Sequence, residues 1–239
     1  GALKIQLARF EQSHLVSSRE FSMVDFSDSS TVVTFDGSDW TLSWQIQKLP
    51  ENKRAYLVQV TAQPNNETID QVAIGLQLEF NNWSTDNFVL MPAAAYQGNR
   101  FNARFKERGK HLCDLFPCSP NMDISINTIP RLNINEGISK IDMLSGDMST
   151  PSIGIHWPSL QSGFFLLTNQ GTGKCDYGYM IEESSDRSDA RIRIRMPAVR
   201  EDSCILGNKY FPSPDRGIQL NPGDLISVSC MFYFFEAPD

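Results

Sequence analysis

Long apolar runs and basic charge are both scarce in this sequence. No stretch approaches the roughly 20 apolar residues that a membrane-spanning helix needs, so no membrane span is expected. The formal net charge is -7 at pH 7 and the sequence pI is about 5.0. This acidic balance lacks the basic footprint of a nucleic-acid-binding domain, and no nucleic acid partner is expected.

Histidine and the familiar catalytic motifs are also sparse. The three histidines are His14, His111 and His156, with neither an i, i+4 pair nor an HExxH motif. A GxSxG nucleophile elbow is lacking, although a Ser-His-Asp triad of remote residues stays open. Gly171-Thr172-Gly173-Lys174 lacks the full phosphate-loop frame and is interpreted as a turn. No metal or cofactor is therefore expected.

Five cysteines leave at least one thiol unpaired within the chain: Cys113, Cys118, Cys175, Cys204 and Cys230. Cys113 and Cys118 can close a small loop as a disulfide, or stay reduced. A zinc site would need a second close pair of ligands, which the sequence does not offer. Cys230 lies in an apolar strand and is predicted to be a core thiol.

Period-two alternation dominates the pattern and predicts strands with one buried face. It runs through Trp40–Ile46, Tyr56–Val60 and Val72–Phe80, with Trp40 and Trp44 on the core face. The turn residues Pro64-Asn65-Asn66 separate the last two runs, which predicts that they pair as a hairpin.

The later chain behaves similarly. Tyr177–Glu183 and Ala190–Met196 flank a short polar link, and Leu225–Phe235 is apolar on both faces, as a central strand between two layers would be. Helical periodicity is confined to Asn99–Lys110. More than ten strands with short polar turns predict an all-β fold, a large antiparallel β-sandwich with little helix, as a single domain over residues 1–239.

The most unusual segment is Met91–Phe101, in which small residues precede Tyr96, Asn99 and Arg100. Sugars are bound by aromatic faces together with planar polar side chains, so these three residues are the leading candidates for sugar contacts. The alternative is a structural loop in which Tyr96 caps the core and Arg100 pairs with an acid.

A second candidate is the alternating row Arg191, Arg193 and Arg195, which would share one strand face. Guanidinium groups in a row can grip a uronate or a sulfate. In the alternative, Glu182 lies opposite Arg191 across a hairpin and pairs with it.

Trp83 and Trp157 are possible stacking platforms for a sugar ring, or else core residues. Glycoside hydrolysis needs two carboxylates about 5–10 Å apart across a cleft. Glu182 and Glu183 are not expected to form that pair, because adjacent strand residues point to opposite faces. Glu201-Asp202 is a second acidic pair, and Arg200-Glu201 follows Pro197 near a strand end, where site residues could gather; the alternative is a surface turn.

The paired strands, the Met91–Phe101 segment and the stretch from Gly163 to Glu201 resemble the N-terminal β-supersandwich of multidomain bacterial glycoside hydrolase-like proteins, a domain similar in fold to galactose mutarotase. The resemblance implies an accessory domain beside a C-terminal helical (α/α) toroid that carries the catalysis. Mutarotase chemistry uses a histidine acid and a glutamate base; His111, His156, Glu182 and Glu201 are available, but none lies in a matching local motif.

We therefore expect a non-catalytic accessory domain of a carbohydrate-active protein. Its expected sugar contacts are Tyr96, Asn99 and Arg100, with Trp157 and Arg195 behind them. Gly1-Ala2-Leu3 is typical of a segment taken from a longer polypeptide, and a secreted, periplasmic or cell-surface location is expected. Two alternatives stay open: a sugar-active enzyme in its own right, mutarotase-like or a lyase, and a structural or protein-interaction module.

Overall fold

Strands account for almost all of the regular structure. The computed structural model describes residues 3–23, 28–51, 54–100, 132, 139–171, 175–200, 203–206 and 209–237, with the backbone alone described for 203–206 and 209–212. Most of the predicted Asn99–Lys110 helix and the Cys113–Cys118 pair lie outside these ranges. Within them the helical segments are 3-10 turns of three residues, and none is long or apolar enough to span a membrane.

The first sheet has seven strands in the order β2-β1-β6-β13-β12-β9, with β16 pairing beside β6. All of its pairings are antiparallel. Its strands are β1 (Leu3–Glu11), β2 (His14–Ser22), β6 (Ile69–Asn81), β9 (Ser139–Leu144), β12 (Gly178–Glu183), β13 (Asp189–Met196) and β16 (Ile218–Leu220).

The second sheet has eight strands in the order β3-β4-β5-β17-β11-β10-β7-β8, also antiparallel. Its strands are β3 (Ser29–Phe35), β4 (Ser38–Lys48), β5 (Ala55–Pro64), β7 (Phe88–Met91), β8 (Ala95–Tyr96), β10 (Ser152–Trp157), β11 (Ser162–Leu167) and β17 (Ile226–Glu236). The remaining two strands, β14 (Ser203–Leu206) and β15 (Lys209–Pro212), form a separate hairpin.

The inner faces of the two large sheets meet in one apolar core, which confirms the predicted all-β sandwich. Alternation along each strand places every second side chain there. Trp40 and Trp44 of β4 are both buried, as predicted, and so is Cys230 of β17, whose thiol pKa is raised by burial. The strand β17 is central, because it pairs with β5 on one side and β11 on the other.

One predicted pairing is wrong. The runs on either side of Pro64-Asn65-Asn66 form β5 and β6, but these strands belong to different sheets and face each other across the core. The link is a crossover rather than a hairpin turn, and Asn65 N donates to Asp39 O of β4. Alternation specifies which side chains are buried but not which strand is the neighbour, because either arrangement buries the same apolar face.

Candidate functional site

The three polar residues expected as sugar contacts occupy different environments within one loop, residues 92–100, called the Tyr96 loop below. Tyr96 is 61% exposed, and its Oη accepts a hydrogen bond from Ala93 N at 3.3 Å. Asn99 folds the loop back on itself, because its Oδ1 accepts from Tyr96 N at 3.0 Å and its Nδ2 donates to Ala94 O at 2.9 Å. Of the three, Tyr96 therefore presents its ring to solvent.

Arg100 turns inward and meets the buried carboxylate of Glu183, as the ion-pair alternative anticipated. Both side chains are almost fully enclosed. Arg100 Nη1 donates to Glu183 Oε2 at 3.0 Å, and Nη2 donates to Oε1. Arg187 Nε lies 3.5 Å from the same Oε2, so two guanidinium groups surround one carboxylate.

Two neutral donors complete the shell around Glu183. Trp83 Nε1 and Ser139 Oγ each donate to the carboxylate at 2.6 Å. A buried charge is tolerated where it is paired and its lone pairs are satisfied. The Glu183 cluster therefore ties the Tyr96 loop, the β9 strand and the β12–β13 hairpin together, and Trp83 is buried within it.

The arginine row predicted on β13 lies on the outer face of the seven-stranded sheet. Arg191 pairs with Glu182 through bonds of 2.9 and 2.6 Å, which confirms the predicted cross-strand pair. Arg193 donates to Gln77 Oε1 from Nε at 3.0 Å and from Nη2 at 2.8 Å.

Arg195, one of the expected sugar contacts, is buried on that same outer face. Its Nη1 donates to Val199 O at 3.0 Å and its Nη2 to Gln6 Oε1 at 3.1 Å. Its guanidinium carbon also lies 5.0 Å from the ring centre of Phe10, a cation–π contact. Each arginine of the row thus has partners within the chain.

Trp157 packs within an aromatic group at one end of the core. Its ring stacks on Phe164 with centres 5.6 Å apart and also meets Phe80 at 5.7 Å. Its indole is partly exposed. The five expected contacts are therefore spread over the Tyr96 loop, the core end and the far sheet, and their proposed sugar roles stay predictions.

The histidines also lie apart from one another. His14 is exposed at the start of β2, and His111 lies outside the described residues. His156 of β10 is partly exposed, and its buried Nε2 makes no hydrogen bond to any described residue. Across the described ranges, no group of three His, Cys, Asp or Glu side chains is placed to hold a metal ion.

The outer face of the eight-stranded sheet carries a group of aromatic rings that the sequence interpretation missed. Phe165 of β11 is paired with Tyr233 of β17, and Phe235 lies two residues further along β17. The centres of Phe165 and Phe235 are 5.6 Å apart with planes 28° apart; those of Tyr233 and Phe235 are 6.3 Å apart with planes 20° apart. These three partly exposed rings, with nearly parallel planes, form what we call the aromatic platform.

Two glycines in neighbouring strands make room for the platform. A Cβ atom on Gly154 would lie 2.3 Å from Phe165 Cε1, and one on Gly163 would lie 2.5 Å from Phe235 Cζ. Each ring therefore occupies the space above the glycine of the next strand and lies against the sheet, an arrangement known for aromatic residues beside strand glycines.

Tyr96 continues the platform toward the sheet edge. The strand registers place Phe165, Gly154, Leu90 and Tyr96 in one cross-strand row. Three strand spacings separate Phe165 from Tyr96, a distance of about 14 Å at roughly 4.8 Å per strand. Tyr96 is thus the one expected sugar contact that shares a sheet face with the platform.

His156 lies on this face as well, because its register partners are Gly163 and Phe88. The sequence signals for the platform were present but incomplete. A glycine interrupts each of the two apolar strands, at Gly154 and Gly163, which is typical of a close approach by another group. The strand register is needed to show that a ring fills each gap.

Comparisons with known proteins place the chain in no family. No protein-family model and no curated protein matches it. Among solved structures, it is similar to a suggested aldose 1-epimerase of Escherichia coli K12, with a TM-score of 0.44 and 12% identity over 91% of this chain and 77% of that one.

Two further solved structures are similar over most of this chain. A galactose mutarotase-like protein of Clostridium acetobutylicum has a TM-score of 0.44 and 11% identity, over 98% of this chain and 79% of that one. A TPR-domain containing protein of Parabacteroides distasonis has a TM-score of 0.41 and 12% identity, over 89% of this chain and 35% of that one. At these scores the likeness carries no argument about activity.

Proposed function

We propose that this chain is a non-catalytic accessory domain of a carbohydrate-active protein, and that it contacts sugar through the aromatic platform and Tyr96. The observation that carries the proposal is the set of three nearly parallel, partly exposed rings on one sheet face. The apolar CH faces of a sugar ring pack on such surfaces, and polar tips such as the Tyr96 and Tyr233 hydroxyls can hydrogen-bond its hydroxyl groups.

The packing of the platform rings supports this role. A Cβ atom at either glycine would overlap a ring, so Phe165 lies directly on Gly154 and Phe235 directly on Gly163. Side chains that are already ordered lose less conformational entropy when a ligand binds. The row from Phe165 to Tyr96 spans several strands, which suits an oligosaccharide better than a single sugar.

The test compares two neighbouring phenylalanines of β17. Phe235→Ala combined with Phe165→Ala removes two platform rings, whereas Phe234→Ala removes a 46% exposed ring that points to the other side of the strand. Binding of neutral and uronic oligosaccharides is measured by saturation-transfer NMR and calorimetry. At about 0.5–1.5 kcal/mol per ring, the double variant should bind at least about five-fold more weakly and Phe234→Ala should bind like the unaltered protein.

Equal binding by the double variant and the unaltered protein would contradict the platform. If no oligosaccharide of the panel binds, the protein-interaction alternative is favoured, in which the exposed Leu57 and Phe88 beside the platform bind a polypeptide.

One observation favours the enzyme alternative: His156 lies on the platform face with an unpartnered Nε2 among the described residues. A histidine beside a bound sugar can act as a general acid or base. The rate of anomeric exchange, recorded in the same samples, tests this. Exchange that is accelerated by the unaltered protein and lost in His156→Asn would establish an enzyme and contradict the accessory role.

The accessory role includes a helical catalytic domain of the same polypeptide and a secreted, periplasmic or cell-surface location. Both come from the sequence resemblance. Fractionation of the source cells, followed by sizing of the native polypeptide, tests them together, because a cytoplasmic protein no longer than this domain would contradict both.

A further inference from the structure

A groove of about 400 Å³ opens between the β1–β2 turn, the start of β6 and the segment 213–217. It shares no residue with the aromatic platform, and it lies against the seven-stranded sheet rather than the eight-stranded one. Small-molecule sites have volumes of about 300–1,000 Å³, so this groove is large enough for a ligand of a few rings.

The first wall of the groove is built by a bulge in β2. Arg9 pairs with Ser17, but the next residue, Phe10, pairs with Leu15, so Val16 is an extra residue with no partner in β1. Val16 is 50% exposed and lines the groove. Bulges of this kind re-aim side chains and are enriched beside functional sites.

The opposite wall is built by a second bulge, in β6. Ile218 of β16 pairs with Val72 and Leu220 pairs with Ile69, so Asp70 and Gln71 together face the single residue between the β16 partners. Gln71 has φ +57°, a left-handed conformation in which such bulges usually carry glycine.

The backbone around Gln71 is closely packed as well. A Cβ atom on Gly217 would lie 2.2 Å from the carbonyl carbon of Gln71, so segment 213–217 packs directly on the bulge. A non-glycine residue in the left-handed region costs stability.

The Gln71 side chain lines the groove and is incompletely satisfied. Its Oε1 is buried and accepts no hydrogen bond from any described residue. Buried amide oxygens normally have a donor, and the exceptions call for an explanation. A ligand that brings a donor to this wall, after a small rotation of the amide, accounts for the unused acceptor.

The charges in the groove select the class of ligand. Two arginines, Arg9 and Arg216, are balanced by two carboxylates, Glu11 and Asp70. Arg9 Nη1 also donates to Asp36 Oδ2 at 2.7 Å, so this arginine is already engaged within the fold. With Asp36 counted, the carboxylates outnumber the arginines by one, and an anionic ligand gains no net attraction from the groove.

The groove lining nevertheless offers both hydrogen-bond donors and acceptors. Arg216 Nη1 is held by the carbonyl oxygens of Ser213 at 3.0 Å and Asp215 at 2.7 Å, which leaves the other guanidinium nitrogens to donate elsewhere. Gln12 and Gln71 each offer both a donor and an acceptor, and Val16 adds an apolar contact. Hydroxyl groups, which donate and accept at once, match such a lining.

We propose that this groove is a binding site for a neutral polyhydroxylated ligand, that is, a neutral saccharide without carboxylate or sulfate groups. The two bulges and the Gln71 conformation define the site, so ligand binding there does not require the aromatic platform. The chain would then hold saccharide at two separate places.

The test is made in the Phe165→Ala, Phe235→Ala background, so that the platform does not contribute. Cellohexaose, mannohexaose and xylohexaose serve as neutral probes, and trigalacturonate serves as the anionic probe. Saturation transfer to at least one neutral probe should persist, and Arg216→Ala should weaken its binding at least five-fold. Arg19→Ala is the matched control, because Arg19 is an exposed arginine of β2 outside the groove.

Gln71→Gly provides a second variant that is not expected to unfold. Glycine relieves the left-handed strain, so the thermal midpoint should stay equal or rise while binding of the neutral probe falls at least five-fold.

The proposal is overturned if no neutral probe contacts the platform-deficient protein, if trigalacturonate binds there instead, or if Gln71→Gly and Arg216→Ala bind like Arg19→Ala. A failure of the platform has a different signature, in which Phe165→Ala with Phe235→Ala leaves total binding unchanged while the groove variants abolish it.

Discussion

Glu182 and Glu183 are adjacent in β12, yet they should differ sharply in their contribution to stability. Glu183 points into the core end, with a side chain that has no exposed surface, and it neutralises Arg100 and Arg187. Glu182 points outward, and it and its partner Arg191 are 33% and 42% exposed. Replacing each glutamate by glutamine removes one negative charge with almost no change in shape, so the two variants form a matched pair.

The expected magnitudes follow from burial. Removing one partner of a buried ion pair costs about 3–5 kcal/mol, because the remaining charge stays buried without compensation. In Glu183→Gln two guanidinium groups lose their shared carboxylate. An exposed pair contributes only about 0.2–1 kcal/mol, since water screens both charges. We therefore expect a difference between the variants of at least about 2 kcal/mol in the free energy of unfolding.

Urea unfolding, followed by tryptophan fluorescence and circular dichroism, measures the free energy of unfolding of each variant. For a chain of this size the thermal midpoint should fall by roughly 6–20 °C in Glu183→Gln and by at most about 4 °C in Glu182→Gln. The reasoning would be refuted by equal shifts in the two variants, or by a loss below about 1 kcal/mol for Glu183→Gln. Either result would mean that the Glu183 cluster does not hold the Tyr96 loop to the hairpin.

Three further perturbations probe other parts of the molecule. Gly154→Ala places a methyl group where the Phe165 ring lies, so platform binding should fall at least about five-fold at a stability cost of about 1–3 kcal/mol; unchanged binding would contradict the packing. Burial alone would raise the pKa of Asp215, but hydrogen bonds and charge from Arg200 lower this pKa overall. The Arg200–Asp215 pair therefore stabilises the fold above about pH 3.9, the pKa of an unfolded aspartate. That stabilisation is lost as pH falls through the lower pKa of the folded state. Asp215→Asn should therefore be destabilising in urea titrations at pH 7 but much less so near pH 2, and a pH-independent difference would contradict the assignment. Burial raises the pKa of Tyr179, because the folded protein favours the neutral phenol. The stability that this preference adds is fully present below about pH 10 and is lost as pH rises further. Tyr179→Phe should therefore flatten the fall in the free energy of unfolding at alkaline pH.

Much of the fold was predictable from local pattern. The β12–β13 hairpin was anticipated correctly, because its two runs are joined by a short polar link and Glu182 lies across from Arg191. The opposite directions of Glu182 and Glu183 followed from the two-residue period alone. The predicted β5–β6 hairpin was wrong because alternation shows only which face of a strand is buried. The pattern is the same whether the next strand is a neighbour in the sheet or lies across the core.

The candidate sites were less accessible to prediction. The strand Leu225–Phe235 was interpreted as apolar on both faces and central between two layers, whereas its Phe235 remains partly exposed on the outer face, as does Phe165 of the neighbouring strand. Conversely, Arg100 and Arg195 were expected at a sugar surface, and the structure buries both with partners from distant strands. Hydrophobicity does not distinguish a ring in the core from a ring on an uncovered sheet.

The amino-acid pattern alone was enough to predict the fold class, the burial of Trp40 and Cys230, and the row of arginines on one face of β13. These properties depend on residues close together in the chain, and a two-residue period expresses them directly. Tertiary contacts were needed to place Gly154 beneath Phe165 and to bring two bulges together at one groove. Both depend on strand register and sheet order, which are set by contacts between residues far apart in sequence.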